Sequence, residues 1–382
     1  MKKVICTLLS IILLIGNTAV YADIPKFRYS FEEALEMAMK NTPEYGLQDR
    51  AIDKYSDAYD NLAKVTPSEI RYSGNMKTFV SRQVDPQINL ENTYSQYSTA
   101  KLQKENIKRT VSLNLRSTVI GISKAEMAYK EAEIAKKNKQ KELELLEIKY
   151  ENGLISKNDY NDQKKKLNND IKDTLSMAQD AVDLAYRQLN TMLGREDEKD
   201  IEVKLDDTVI PLEKLDLEQI KKDMIKKDET LNSLYEQRRL ADYKFVFVKQ
   251  GYERYDLDKF TDQMRSDMEE MYEEAQKDYE LADQAYKNAL GRFEKNFNDM
   301  IEDIQDLYAD IEELKKDIAD EKEKMDLNKL LYETGRMTKI EYDALGDKIT
   351  LMENDLKELE LDLNMKYAEL LIYSDLKKVV KE

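Results

Sequence analysis

Histidine and tryptophan are absent from this 382-residue chain, and it carries a single cysteine. Without histidine there is no imidazole metal ligand, no Ser–His–Asp triad and no histidine general base. The one cysteine, Cys6, falls inside an apolar N-terminal run. Lys2 and Lys3 precede that run, residues 4–16, and Val20-Tyr21-Ala22 follows as a small-residue cleavage site. Residues 1–22 therefore read as a secretory signal, with the mature chain starting near Asp23. The mature chain then has no cysteine, and neither disulfide nor thiol chemistry. The run at 4–16 falls short of the ~20 residues a spanning helix needs, and no other stretch approaches that length. Only ten glycines and five prolines occur, too few for a loop-rich fold. Cationic excess is missing too. The net charge of −17, or −19 once Lys2 and Lys3 are removed, argues against nucleic acid as a partner.

What is present is a turn that occurs twice. Tyr150-Glu151-Asn152-Gly153-Leu154-Ile155-Ser156-Lys157-Asn158-Asp159-Tyr160 returns as Tyr332-Glu333-Thr334-Gly335-Arg336-Met337-Thr338-Lys339-Ile340-Glu341-Tyr342, 182 positions later. Gly153 and Gly335 suit the left-handed conformation that ends a helix. Ser156 and Thr338 suit the cap of the next helix, each with an acid three residues on to close a capping box. Ile155 and Met337 lie just before the caps. Tyr160 and Tyr342 lie four residues after them, at hydrophobic-staple spacing. The fold class expected is all-α: two repeated long helical hairpins with little or no β-structure.

The rest of the chain fills in two sets of three helices. Ser30-Phe31-Glu32-Glu33 opens a short helix to about Lys40. Thr42 and Pro43 start another to about Lys64. A non-helical stretch is expected at 65–97, which holds Pro67, Gly74 and Pro86. A long helix runs from about Ser98 to the turn at 153–156. Leu167, Ile171, Leu175, Ala178, Val182, Ala185, Leu189 and Met192 then recur at spacings of three and four, ending at Gly194. Residues 195–215 read as a polar linker with a short β-like piece near Val203–Leu205. The second set starts at Leu217 and is expected to run to about Val248 and break around Gly251. The longest helix follows at 261–333, with Phe297, Ile304 and Ile311 on one face. After the turn at 335–338 comes the heptad stripe Tyr342, Leu345, Ile349, Met352, Leu356, Leu359 and Leu363. The domains read as 23–194 and 216–382, joined by the linker. In the first, two shorter helices laid end to end match the length of one long helix, and the second allows the same layout with a somewhat longer central helix. An assembly so elongated leaves its stripes to be covered by neighbours in the chain or by other copies.

In its turns, its duplicated layout and its Phe31–Pro43 segment, Phe-Glu-Glu-Ala-Leu-x-x-Ala-x-x-Asn-x-Pro, the chain resembles the TolC family of efflux and secretion channels. Leu-Asn-x-Met-Leu-Gly at 189–194 supports the resemblance. It implies a trimer in which each protomer gives two hairpins to a hollow twelve-helix barrel. It also implies an adaptor protein docked at the hairpin tips, and an inner-membrane pump. The tips would be Gly153, Leu154 and Ile155 with Gly335, Arg336 and Met337. Asp159, Tyr332 and Glu341 fall where the family holds its entrance closed. Where the family has a tip arginine this chain has Met337, with Arg336 one place early. A second acidic position is Ala344, with Asp343 beside it.

One departure is larger. The family inserts a membrane-spanning β-hairpin in each repeat, and a spanning strand takes ~9–11 residues. The stretch at 65–97 is polar, with strand hints only at Ile70, Tyr72, Met76, Thr78 and Val80, and 249–260 is too short. The expectation is an exported envelope protein without a complete outer-membrane barrel of its own, associated with the membrane by resemblance only.

Each feature has a plainer reading. Ile155 and Met337 as staples, and Asp159 and Glu341 as capping acids, need no gate. The acid pairs Glu269-Glu270 and Glu273-Glu274 lack a calcium-loop glycine and read as a solvated face. Neither a nucleophile motif nor a phosphate loop is present, so an enzyme is not expected, and no cofactor is implied. The competing reading is a structural or adhesive coiled-coil protein of the cell surface. A solid bundle would need apolar inward faces, whereas a tube needs a polar lumen.

Overall fold

The structure is a computed structural model, and it describes residues 27–71, 75–196, 201–205, 209–254 and 261–380. The signal segment at 1–22 lies outside them.

The first repeat runs strand β1 (Phe27–Ser30), helix α1 (Phe31–Lys40), α2 (Pro43–Val65), a short α3 (Met76–Phe79), α4 (Asp85–Glu151) and α5 (Lys157–Leu193). Strand β2 (Ile201–Lys204) then pairs in parallel with β1, Phe27 opposite Ile201. The second repeat runs α6 (Leu217–Lys227), α7 (Glu229–Arg254), α8 (Asp262–Glu333) and α9 (Lys339–Leu371), closed by a one-turn α10 (Leu376–Val379). Among the described residues β1 and β2 are the only strands of more than a single bridge, so the all-α expectation holds. At ~1.5 Å per residue the 67-residue α4 and 72-residue α8 are each about 100 Å long.

The helices form one wall. Helix α4 is flanked by α2 and α5 on one side, and by α7 and α9 on the other; α7 and α9 in turn lie along α8. Each pair of shorter helices therefore stacks end to end along a long one, as the lengths predict. Seam contacts between the hairpins descend α4 and α9. Arg116 donates to Asn364, Lys124 pairs with Asp362 at 2.7 Å and Glu358 at 2.9 Å, and Lys137 reaches Asp347 at 3.4 Å.

Two equivalent cores sit at mid-height. In the first, Ala34 and Ala38 of α1 meet Leu115 of α4 and Leu189 and Leu193 of α5. In the second, Ile220 and Met224 of α6 meet Phe297, Ile304 and Ile311 of α8 and Leu363 and Leu370 of α9. Both belts are opened by a capped short helix. Ser30 and Glu33 make a complete capping box, and Asp216 accepts from the Gln219 amide.

A third core corrects the sequence reading. Residues 76–97 are helical, not a non-helical insert. Asn75 caps Met76 by accepting from the Thr78 amide. The helix passes through a π-helical turn, Val80–Val84, into α4. Pro86 follows directly on that turn, and the widened turn just before it accommodates the ring. Met76, Phe79, Val80 and Val84 are buried against Val248 of α7 and Met268 and Ala275 of α8. Met76, Thr78 and Val80, read as strand hints, are part of this helix, Ile70 is not in a strand, and Tyr72 lies outside the described residues. Nor does the chain break at Gly251. Helix α7 continues past it to Arg254, so the expected break comes a few residues later, ahead of Asp262; a further break, not expected, falls at Asp228, whose carboxylate accepts from the Leu231 amide at 2.7 Å. Phe79 packs directly on helical Gly251: a Cβ there would sit 2.8 Å from the ring. Thr42, expected to cap α2, occupies the cap position but turns its hydroxyl back to the Ala38 carbonyl at 2.8 Å.

These helices leave ten positions between Val65 and Met76, and seven between Arg254 and Asp262. Two spanning strands of ~9–11 residues do not fit in either connector. No helix among the described residues is long and apolar enough to cross a membrane.

Candidate functional site: the paired hairpin tips

Both turns take the same backbone form. Gly153 has φ +70° and Gly335 has φ +71°, and each ends its helix in a Schellman motif. In the first, the Leu154 amide donates to the Lys149 carbonyl at 2.9 Å and the Gly153 amide to Tyr150 at 3.0 Å. In the second, Arg336 donates to Leu331 at 2.8 Å and Gly335 to Tyr332 at 3.0 Å. The Asn152 amide group and the Thr334 hydroxyl bond back to the carbonyls four residues earlier, each at 2.8 Å. The duplication legible in the sequence is thus a duplication of hydrogen bonds.

The cap on the far side differs between the two. Thr338 and Glu341 make the full reciprocal box, with the Glu341 carboxylate accepting from the Thr338 amide at 2.8 Å. These bonds hold the Glu341 carboxyl below its ordinary value. Ser156 accepts from the Asp159 amide at 3.1 Å, and its hydroxyl donates to the Asp159 carboxylate at 2.7 Å. The aspartate, one methylene shorter, bonds the hydroxyl of its cap.

The tyrosines were expected to staple to Ile155 and Met337. They stack across their own hairpins. Tyr150 lies on Tyr160 with ring centroids 4.5 Å apart, and Tyr332 on Tyr342 at 5.1 Å. The signal was in the sequence, since each eleven-residue copy begins and ends in tyrosine, and the stack closes the mouth of the loop. In the first hairpin, Tyr160 also donates to Glu147 at 3.1 Å and accepts from Lys164 at 2.8 Å. The matching positions in the second hairpin are Lys329 and Gly346, which cannot form that network.

Leu154 is 72% exposed, and Gly153, Gly335 and Arg336 are also exposed, while Ile155 and Met337 are half-buried. The two tips lie at one end of the wall. The tie of Lys141 to Asp343 at 3.8 Å joins the hairpins a few turns above them. Asp343, noted beside Ala344, therefore faces the seam between the hairpins. Among the expected gate residues, the contacts just given for Asp159, Tyr332 and Glu341 each lie within a single hairpin.

No protein-family profile matches the sequence, and neither does any curated protein sequence. Solved structures do match the fold. The outer membrane protein VceC of Vibrio cholerae superposes with a TM-score of 0.57 at 13% identity, over 88% of this chain and 95% of that one. The Campylobacter jejuni CmeC outer membrane channel gives 0.55 at 9% identity, over 90% and 85%. The open state of the Neisseria gonorrhoeae MtrE outer membrane channel gives 0.52 at 11% identity, over 90% and 88%. The chain has the fold of these channels, as its resemblance to the TolC family implied.

Proposed function

We propose that this protein is one protomer of an exported helical conduit, a component of an efflux or secretion complex, and that three copies close edge to edge into a tube. The observation that carries this reading is the pair of unpartnered edges. The wall ends in α5 on one side and α8 on the other, and each edge helix leaves large apolar side chains in solvent. Met177 and Leu184 of α5 are 72% and 50% exposed; Leu281, Leu327 and Leu330 of α8 are 62%, 69% and 64% exposed. A single chain leaving this much apolar area uncovered is suited to association, and two different edges meet head to tail in a closed ring.

In this reading the tips, Gly153, Leu154 and Ile155 with Gly335, Arg336 and Met337, dock an adaptor protein that links the tube to an inner-membrane pump. Asp159, Tyr332 and Glu341 stand at the entrance. The short connectors at the opposite end support a location in the cell envelope without a spanning barrel of the chain's own. They also favour a second reading, a surface coiled-coil protein without transport activity.

The mass of residues 23–382, measured by light scattering on a sizing column in detergent-free buffer, separates the two. A trimer is expected for the conduit. A monomer or dimer would reject it and leave the surface protein.

A further inference from the structure

Helix α4 carries an uncharged polar stripe, tied to α7 where Gln103 donates to Glu229. Asn92, Gln96, Thr99, Gln103, Asn106 and Thr110 recur at spacings of four and three, which places them on one helix face. All six are uncharged hydrogen-bonding residues, in a chain of which 36% is charged. The face opens into two adjoining furrows that share Gln103, of about 290 and 570 Å³. Tyr55 and Gln48 of α2 form one bank, Ser233 and Gln237 of α7 the other. Together the furrows fall within the ~300–1,000 Å³ of small-molecule sites.

The lining selects by chemistry. Neither furrow has a lysine or arginine in its walls, and the carboxylates present are Glu44, Glu229 and Glu236. Arg109 donates to Asn106 and lies over the Tyr373 ring, outside both walls, so an anion meets no counter-charge lining the furrows. Glu236 is already paired with Arg239 at 2.9 Å, and Glu229 accepts from Gln103 at 2.9 Å, so a polycation meets partly committed acids. A hydrocarbon would leave amides and hydroxyls unpaired, at a cost for each. A ligand with many neutral donors and acceptors along its length satisfies a row of amides, which donate and accept from one side chain. Tyr55 at the bank adds an aromatic face.

We propose that this furrow is a binding site for a neutral oligosaccharide lying along α4. It is built within one protomer, so it stands or falls independently of the trimer.

The test is calorimetric titration of the full mature chain with the β-1,4-linked tetramer of N-acetylglucosamine, beside inositol hexakisphosphate and spermidine as charged probes. Saturable binding of the tetramer is expected, without binding of either charged probe. Gln96→Leu with Gln103→Leu keeps helix propensity and shape and should weaken binding at least about tenfold. Gln284→Leu, on an exposed stretch of α8, should leave it unchanged. If the double variant loses helicity, the single Gln96→Ala serves, since Gln96 is exposed. Absence of saturable heat, affinity unmoved by the stripe variants, or equal binding of a charged probe would each overturn the proposal.

Discussion

Gly251→Ala sets two effects of opposite sign against each other. In an open helix position, replacing glycine by alanine stabilises by roughly 0.5–1 kcal/mol, because glycine loses more backbone freedom on folding. Gly251 is helical and its φ is not left-handed, so that gain is available. The added Cβ, however, would lie 2.8 Å from Cε1 of Phe79 and 3.1 Å from Sδ of Met76. Phe79 is fully buried and Met76 is 1% exposed, so neither can swing aside without moving Val80, Val84 or Met268. Overpacking of this kind costs ~1–3 kcal/mol. The clash wins, and the net effect is a destabilisation of about 0.5–2 kcal/mol. Gly291→Ala is the internal control: that glycine sits mid-α8 with nothing within 4 Å of its Cβ position, and only the gain remains. Urea unfolding at one protein concentration, read as midpoints at constant slope, compares the two. The variants should move in opposite directions. If Gly251→Ala stabilises as Gly291→Ala does, Phe79 is not seated on α7, and the account of the third core fails. Phe79→Ala should cost ~3–5 kcal/mol, and less in the Gly251→Ala background, where the clash is relieved.

Two further outcomes bear on the tips. Glu341 has its folded-state pKa depressed from 4.5 by the Thr338 backbone and hydroxyl bonds, so its contribution is present above that value and is lost as pH falls through the lowered one. The melting difference between wild type and Glu341→Ala should therefore be full near about pH 6 and shrink towards about pH 3; a difference that grows on acidification would contradict the capping box. Replacing Leu154 and Ile155 together with aspartate should abolish co-purification with the cognate adaptor while circular dichroism stays helical, and undiminished co-purification would reject docking through this tip.

The parts of the fold legible in the sequence are those where several local signals coincide. At each turn a left-handed glycine, a Ser or Thr cap and an acid three residues on all serve one backbone path, and Gly153 and Gly335 take it within a degree of φ. The long helix expected at 261–333 is Asp262–Glu333, where Thr261 caps its start by accepting from the Met264 amide and the turn at Gly335 follows its end. The tyrosine stacks were half legible. Four-residue spacing points to a staple with Ile155; the ring ten residues earlier, which Tyr160 stacks on across the loop, is not marked by that spacing. The capping role of Asp159 and Glu341 was equally local, and the structure displays it directly.

The two misread segments are the two halves of one contact. Pro67, Gly74 and Pro86 made 65–97 look broken, and Gly251 made α7 look broken, because glycine and proline are judged by what they do to their own backbone. Gly251 is there for a partner far away in sequence: it lets the Phe79 ring approach the α7 backbone more closely than any Cβ would permit. Pro86, for its part, is absorbed by a widened turn whose buried residues, Val80 and Val84, belong to the same core. A local rule cannot find such a pair, since neither residue has a reason for its conformation without the other. The contact lies beside both connectors. With α3 seated on α7, the helices on both sides are pinned close to their ends, and seven and ten positions suffice to join them. The apolar side chains of 76–84, which on an alternating strand would face lipid, are instead spent on Val248, Met268 and Ala275. The end of the wall opposite the tips is thus finished by a core made within one chain, while its two long edges remain uncovered.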